Sequence, residues 1–149
     1  MIRHHEFAGL SFVAAAGWCD ITDDLPPDSP PTLACPDGVG ALQVSTAMYA
    51  GGVEPAVDTN ALSEMLQAHA RARGFEILNQ ATSASGQILI VSGDVDGEHE
   101  VIRIWYVTDS RNVALITYVS QEPENVVTKE ELRAADAMVR SIRSIDPVH

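Results

Sequence analysis

"GQILIVSGDVDGEHEVIRIWYV", residues 86–107, decides the fold. β-Branched and aromatic residues fill both ends and a polar, glycine-bearing stretch fills the middle, so the segment reads as two strands folded back on each other. "FEILNQATSAS" (75–85) precedes it and "NVALITYVS" (112–120) follows, each strand-like and separated from it by a short polar turn. Together they predict an antiparallel meander. Trp105 and Tyr106 are adjacent and must face opposite sides of the sheet. Trp105 shares its side with Val101, Arg103 and Val107, and Tyr106 shares the other with Ile102 and Ile104. Burial under a helix is expected for at least one of the two rings. Trp105 stands as a partner-binding candidate, because Trp, Tyr and Arg dominate the energetics of interfaces.

Outward from the meander the period changes. "GALQVSTAMYAGG" (40–52) alternates, with Leu42, Val44, Thr46 and Met48 on one side and Gln43, Ser45 and Tyr49 on the other, before a glycine pair. That is a half-buried strand and a turn. From Asp58 to Arg73 the apolar spacing becomes helical through Leu62, Met65, Leu66 and His69, with Thr59 or Asn60 as cap and Gly74 at the C-terminus. A last helix is predicted from Thr128 and Glu131, which have capping-box spacing, through Leu132, Ala135, Met138, Val139, Ile142 and Ile145, with Pro147 as its stop. Phe7 to Ala14 reads as a first strand. The order is therefore strands, helix, strands, helix. One antiparallel sheet packed by two main amphipathic helices gives an α+β class, since each apolar helix stripe must cover apolar sheet surface.

The 149 residues fit one domain, and a 46% hydrophobic, 20% charged composition suffices for a core. The apolar opening "FAGLSFVAAAGWC" is too short to span a membrane and has only a weak positive start, Arg3 followed by His4, His5 and Glu6, so a cytoplasmic protein is expected. Cys19 and Cys35 have no C-x-x-C partner, and free, packed thiols are the expectation.

The opening strand with its Gly17–Trp18 pair ("SFVAAAGWCDIT"), the paired strands, helix and meander, and a final helix ending "ADAMVRSIRSI" resemble the PsbP/Mog-like fold, which also includes bacterial DcrB-like proteins. The resemblance covers nearly the whole chain. Its members include photosystem accessory subunits, a Ran-binding protein, secretion chaperones and small lipoproteins, so it implies binding rather than catalysis.

Candidate chemistry is sparse. Asp94, Asp96, Glu98 and Glu100 place alternate carboxylates near Gly97, but a calcium loop of the EF-hand kind needs a 12-residue pattern between helices, and these residues lie between strands. "DVDGE" reads as a hairpin turn in which Asp and Gly supply positive φ. His4, His5 and Glu6 lack the helical spacing of a metal site and read as surface residues. His69 reads as a flank residue with its ring over the core. No nucleophile elbow or phosphate loop is present, and no catalytic residue, metal or cofactor is assigned.

Charge is more informative. Between Arg3 and Arg71 there is no lysine or arginine, while Glu6, Asp20, Asp23, Asp24, Asp28, Asp37, Glu54, Asp58 and Glu64 contribute nine negative charges toward a net of −12. Such a field repels nucleic acid and anionic lipid and draws in a basic partner. "WCDITDDLPPDSPP" (18–31) concentrates it in a proline-stiffened loop. Acidic loops also simply keep proteins soluble. The partner-binding candidates are thus Asp20, Asp23, Asp24, Asp28, Asp37 and Trp105. The expected function is a small non-catalytic binding protein of the immunity or antitoxin kind, blocking a basic toxin. The competing expectation is a DcrB-like chaperone that shelters the apolar helices of a secreted effector, working as a homodimer.

Overall fold

The computed structural model describes residues 4–48, 57–97 and 99–147. Arg3, Tyr49, the pair Gly51 and Gly52, Glu54, Glu98 and the side chain of His4 lie outside the described residues. The chain is α+β, with two α-helices and antiparallel sheets among the described residues. The strands β3 (Cys19–Asp20), β4 (Thr32–Ala34), β5 (Gly40–Met48), β6 (Glu76–Ser85), β7 (Ile88–Asp96), β8 (Val101–Thr108) and β9 (Asn112–Ser120) form a seven-stranded sheet in the order β3-β4-β5-β9-β8-β7-β6. The meander predicted from residues 75–120 is β6 to β9, and its far side accepts β5 along nine residue pairs from Gly40↔Ser120 to Met48↔Asn112.

Both faces of this sheet are apolar, and each carries one helix. Helix α1 (Thr59–Arg73) lies over β6, β7 and β8, where its Leu62 and Leu66 pack with Val91, Val95, Ile102, Ile104 and Tyr106. Helix α2 (Val126–Arg140) lies on the opposite face, where Ala135, Met138 and Val139 pack with Trp105, Val107, Ile116 and Tyr118. The period-2 alternation of β8 thus sorts Trp105 and Tyr106 into different cores. Gly93 makes room on the α1 side, since a Cβ there would lie 2.9 Å from Leu66 Cδ2.

Several local readings are corrected. In place of one strand from Phe7 to Ala14 there is a hairpin, β1 (His4–Phe7) and β2 (Leu10–Val13), turned at Ala8 and Gly9 with φ of 55° and 87°. Two consecutive positive φ values are those of a type I′ turn. The last helix ends at Arg140, where the Ser141 hydroxyl donates to Met138 O (2.7 Å) and accepts from Val13 N–H (2.8 Å). Ile145 belongs to a strand, β10 (Ser144–Ile145), which pairs with β2 and makes a second sheet of order β1-β2-β10. Asp58 caps α1 in place of Thr59 or Asn60, accepting from Ala61 N–H, while Gly74 closes the helix at φ 71° as expected. Among the described residues of the β7–β8 turn, positive φ falls on His99 rather than on Asp96 or Gly97.

The predicted capping box is also replaced. Asn125 caps α2, which frees Thr128 to donate to Glu122 O and to meet Ser120 Oγ inside the protein. Glu131, 5% exposed, instead turns toward the β4–β5 connection. Its carboxylate accepts from Val39 N–H (3.2 Å), Gly40 N–H (3.0 Å) and Tyr118 O–H (2.8 Å). Gly38 and Gly40 have no room for a side chain, since a Cβ would collide with Glu131 Oε2 at the first and with the Tyr118 ring and hydroxyl at the second. Burial, and then the adjoining Glu131, push the Tyr118 hydroxyl far above the usual phenol range, so it stays a donor. Glu131→Ala strands these donors without an acceptor and should cost about 3 kcal/mol, read as a lowered urea midpoint with unchanged m-value.

Candidate functional site

The acidic residues sit at the β3 edge of the large sheet. Asp20 ends β3, Asp23 and Asp24 lie in a 3-10 turn (Thr22–Asp24), and Asp28 follows before β4. All four are exposed. Asp20 Oδ1 accepts from Thr22 N–H (2.9 Å) and Thr22 O–H (2.6 Å), and the Thr22 hydroxyl in turn accepts from Thr32 N–H (2.9 Å). Ile21 N–H donates to Thr32 O, Asp24 N–H to Ile21 O, and Ser29 N–H to Pro26 O. The loop is therefore a chain of local turns fastened to β4, whose Thr32 is 1% exposed. The hydroxyl and then the amide of Thr22 hold the Asp20 carboxyl below its usual range, which keeps it charged.

Asp37 is exposed too, but it stands in the β4–β5 connection, at the other end of β4. The ion pairs Arg103–Asp94 and Arg140–Asp136 lie elsewhere, and no cation among the described residues pairs with any of these five aspartates. Four of the candidates thus share one rigid loop, with the fifth beyond it.

Trp105 does not join them. It is 0% exposed on β8, three strands from β4, and its Nε1–H donates to Asp136 Oδ1 (3.1 Å), which α2 presents with Arg140 as a salt-bridge partner. The ring is a peg between sheet and helix, so the interface role expected of it is withdrawn: a residue that fills the core offers no surface to a partner. Cys19 is exposed and Cys35 partly so, which corrects the expectation that both are packed, and both are free. Burial, then Glu131 and Cys19, push the Cys35 thiol up, which disfavours the reactive thiolate.

A second feature escaped sequence reasoning. α1 covers β6 to β8 but leaves the same face of β5 and β9 open, and there a groove of about 310 Å³ runs between Pro30, the sheet and the C-terminal end of α1. Ile104, Leu115 and Val119 form its floor, with Gln43, Thr117, His69 and Arg73 around it. His69 Nδ1 lies 3.2 Å from the Tyr106 hydroxyl, edge-on to the ring. His69 is thus the flank residue expected of it. Only the register of β5 against β9, which pairs Gln43 with Thr117, brings this set together.

Among the described residues no group of three or more His, Cys, Asp or Glu is placed to hold a metal ion, and no helix is long and apolar enough to cross a membrane. No protein-family model matches the chain, and a search of curated proteins finds no relative.

The His69 ring supplies a pH prediction. Burial, and secondarily Arg73, hold its pKa below the ordinary 6.5. The unfolded chain therefore binds a proton that the folded chain resists, and stability falls as pH drops from about 7 toward about 5. His69→Gln should flatten this part of the profile, checked by urea midpoints at the two pH values.

Proposed function

We propose that the protein is a small non-catalytic binding protein that docks a basic protein partner through the β3–β4 loop, in the manner of an immunity or antitoxin protein blocking its toxin. The observation that carries this reading is that Asp20, Asp23, Asp24 and Asp28 are exposed together on one loop without a cation among the described residues to neutralise them. A solvated acidic surface needs no fixed geometry. This loop has one, since Thr22 and Thr32 hold it by side-chain hydrogen bonds and prolines at 26, 27, 30 and 31 restrict it. A preordered loop loses little entropy on docking, and its negative field speeds encounter with a basic surface. Blocking by occlusion requires position and charge, and no catalytic group. On this reading we also assign the fold to the PsbP/Mog type, on the strength of the Gly17–Trp18 pair after the opening segment and the closing "ADAMVRSIRSI" stretch, and infer a cytoplasmic location.

The chaperone reading has less support. It calls for a contiguous exposed apolar surface, whereas the large exposed apolar residues among those described, Met48, Leu78 and Val126, stand on three different elements.

The test compares the tagged protein with an Asp20→Asn/Asp23→Asn/Asp24→Asn variant as bait in lysate of its native cell. The expected result is a basic protein held by the wild type at low salt, released at high salt, and weakened at least about tenfold by the variant, as loss of several desolvated charge contacts implies. Equal retention by both baits overturns the acidic docking surface.

A further inference from the structure

Strand β6 closes the large sheet at the edge opposite β3. It runs ten residues, "EILNQATSAS", against two for β3, and every residue but Ile77 and Ser83 is exposed. Its outer side carries a row of backbone donors and acceptors that no strand among the described residues meets. Proteins usually spoil such an edge with lysine, proline, brevity or a bulge. β6 has no lysine, arginine or proline, and its one irregularity lies at its start, between Ile77 and Asn79. We propose that β6 is a homodimerisation edge, pairing antiparallel with β6 of a second copy about a two-fold axis at Ala81.

Charge selects the occupant. Two chains of net −12 repel one another over most of their surface, yet residues 77–85 carry no charge. Glu76, at the end of the strand beside Asp96, marks where that neutral stretch stops. A two-fold axis normal to the sheet must place one residue opposite itself, because paired residues share a face. Ala81 is the middle of the neutral run, and this register sets Gln80 opposite Thr82, Asn79 opposite Ser83, Leu78 opposite Ala84 and Ile77 opposite Ser85. Glu76 then faces Gly86, so no like charges meet across the ladder. Leu78, 61% exposed in the single chain, gains an apolar neighbour. The ladder would join two seven-stranded sheets into one and leave both acidic loops free at its outer ends.

Salt separates this contact from the acidic docking surface. Dimerisation brings like-charged bodies together and strengthens as screening rises, whereas docking of a basic partner weakens. Sedimentation velocity on the full chain should show a dimer fraction that grows across roughly 5 to 500 µM, as for a small interface, and that grows again when salt is added. Ala81→Lys/Ser83→Lys adds four ammonium groups beside the axis at exposed or half-exposed positions and should abolish the dimer while leaving the circular dichroism spectrum unchanged. In a Cys19→Ser/Cys35→Ser background, Ala81→Cys should form a covalent dimer on mild oxidation and Glu130→Cys, on the exposed side of α2, should not. A monomer throughout the range, an equally dimeric lysine variant, or equal crosslinking at 81 and 130 overturns the proposal. None of these outcomes depends on the β3–β4 loop.

Discussion

One carboxylate joins the parts of this protein that the chain makes at different times. Glu131 projects from α2 into the bend between β4 and β5, and there it gathers two backbone amides and the Tyr118 hydroxyl of β9. A charge so deeply placed is tolerable only when its lone pairs are satisfied, and two glycines, 38 and 40, give it the space to be so. The consequence reaches the β3 edge. β4 and the acidic loop hang on β5, and the start of β5 is fixed by what Glu131 accepts.

The second constraint is the two-sided sheet. Because β8 is buried on both faces, it needs a helix above and below, and the connections provide them: α1 enters before the meander and α2 leaves after it. Trp105 meets the demand on one side, with its indole N–H passed to Asp136, and Tyr106 on the other, with its hydroxyl beside His69. Among the described residues no buried side-chain nitrogen or oxygen is left without a partner. The groove beside α1 arises because that helix is too narrow to cover five strands, so β5 and β9 keep one half-open face.

The meander and the two helices were legible because period-2 and helical patterns are local. The same holds for Gly74, whose left-handed cap needs only its neighbours. What escaped the sequence was decided at a distance. Thr128 and Glu131 have the spacing of a capping box, yet Asn125 takes the cap and both are spent on tertiary contacts. Ala8–Gly9 lacks the Asn-Gly signature of a type I′ turn, so the first hairpin looked like one strand. Ile142 and Ile145 kept a helical rhythm past a helix that Ser141 ends. At the candidate site, the exposure of the aspartates followed from their proline-bounded loop, but the separation of Asp37 and the burial of Trp105 needed the strand order. No motif could have announced the groove, whose walls are drawn from four separate elements.

The pairing of β5 with β9 joins residues some seventy positions apart in the chain, and β2 meets β10 only at its very end. The meander between them makes neighbour-to-neighbour contacts, whose short loops cost little entropy to close. During synthesis the acidic segment from β3 to β5 therefore emerges before β9, the strand whose edge it needs. Its freedom from lysine and arginine then serves a second purpose. Like charges along a nascent segment repel one another, which favours an extended chain over collapse before the strand it must join has been made.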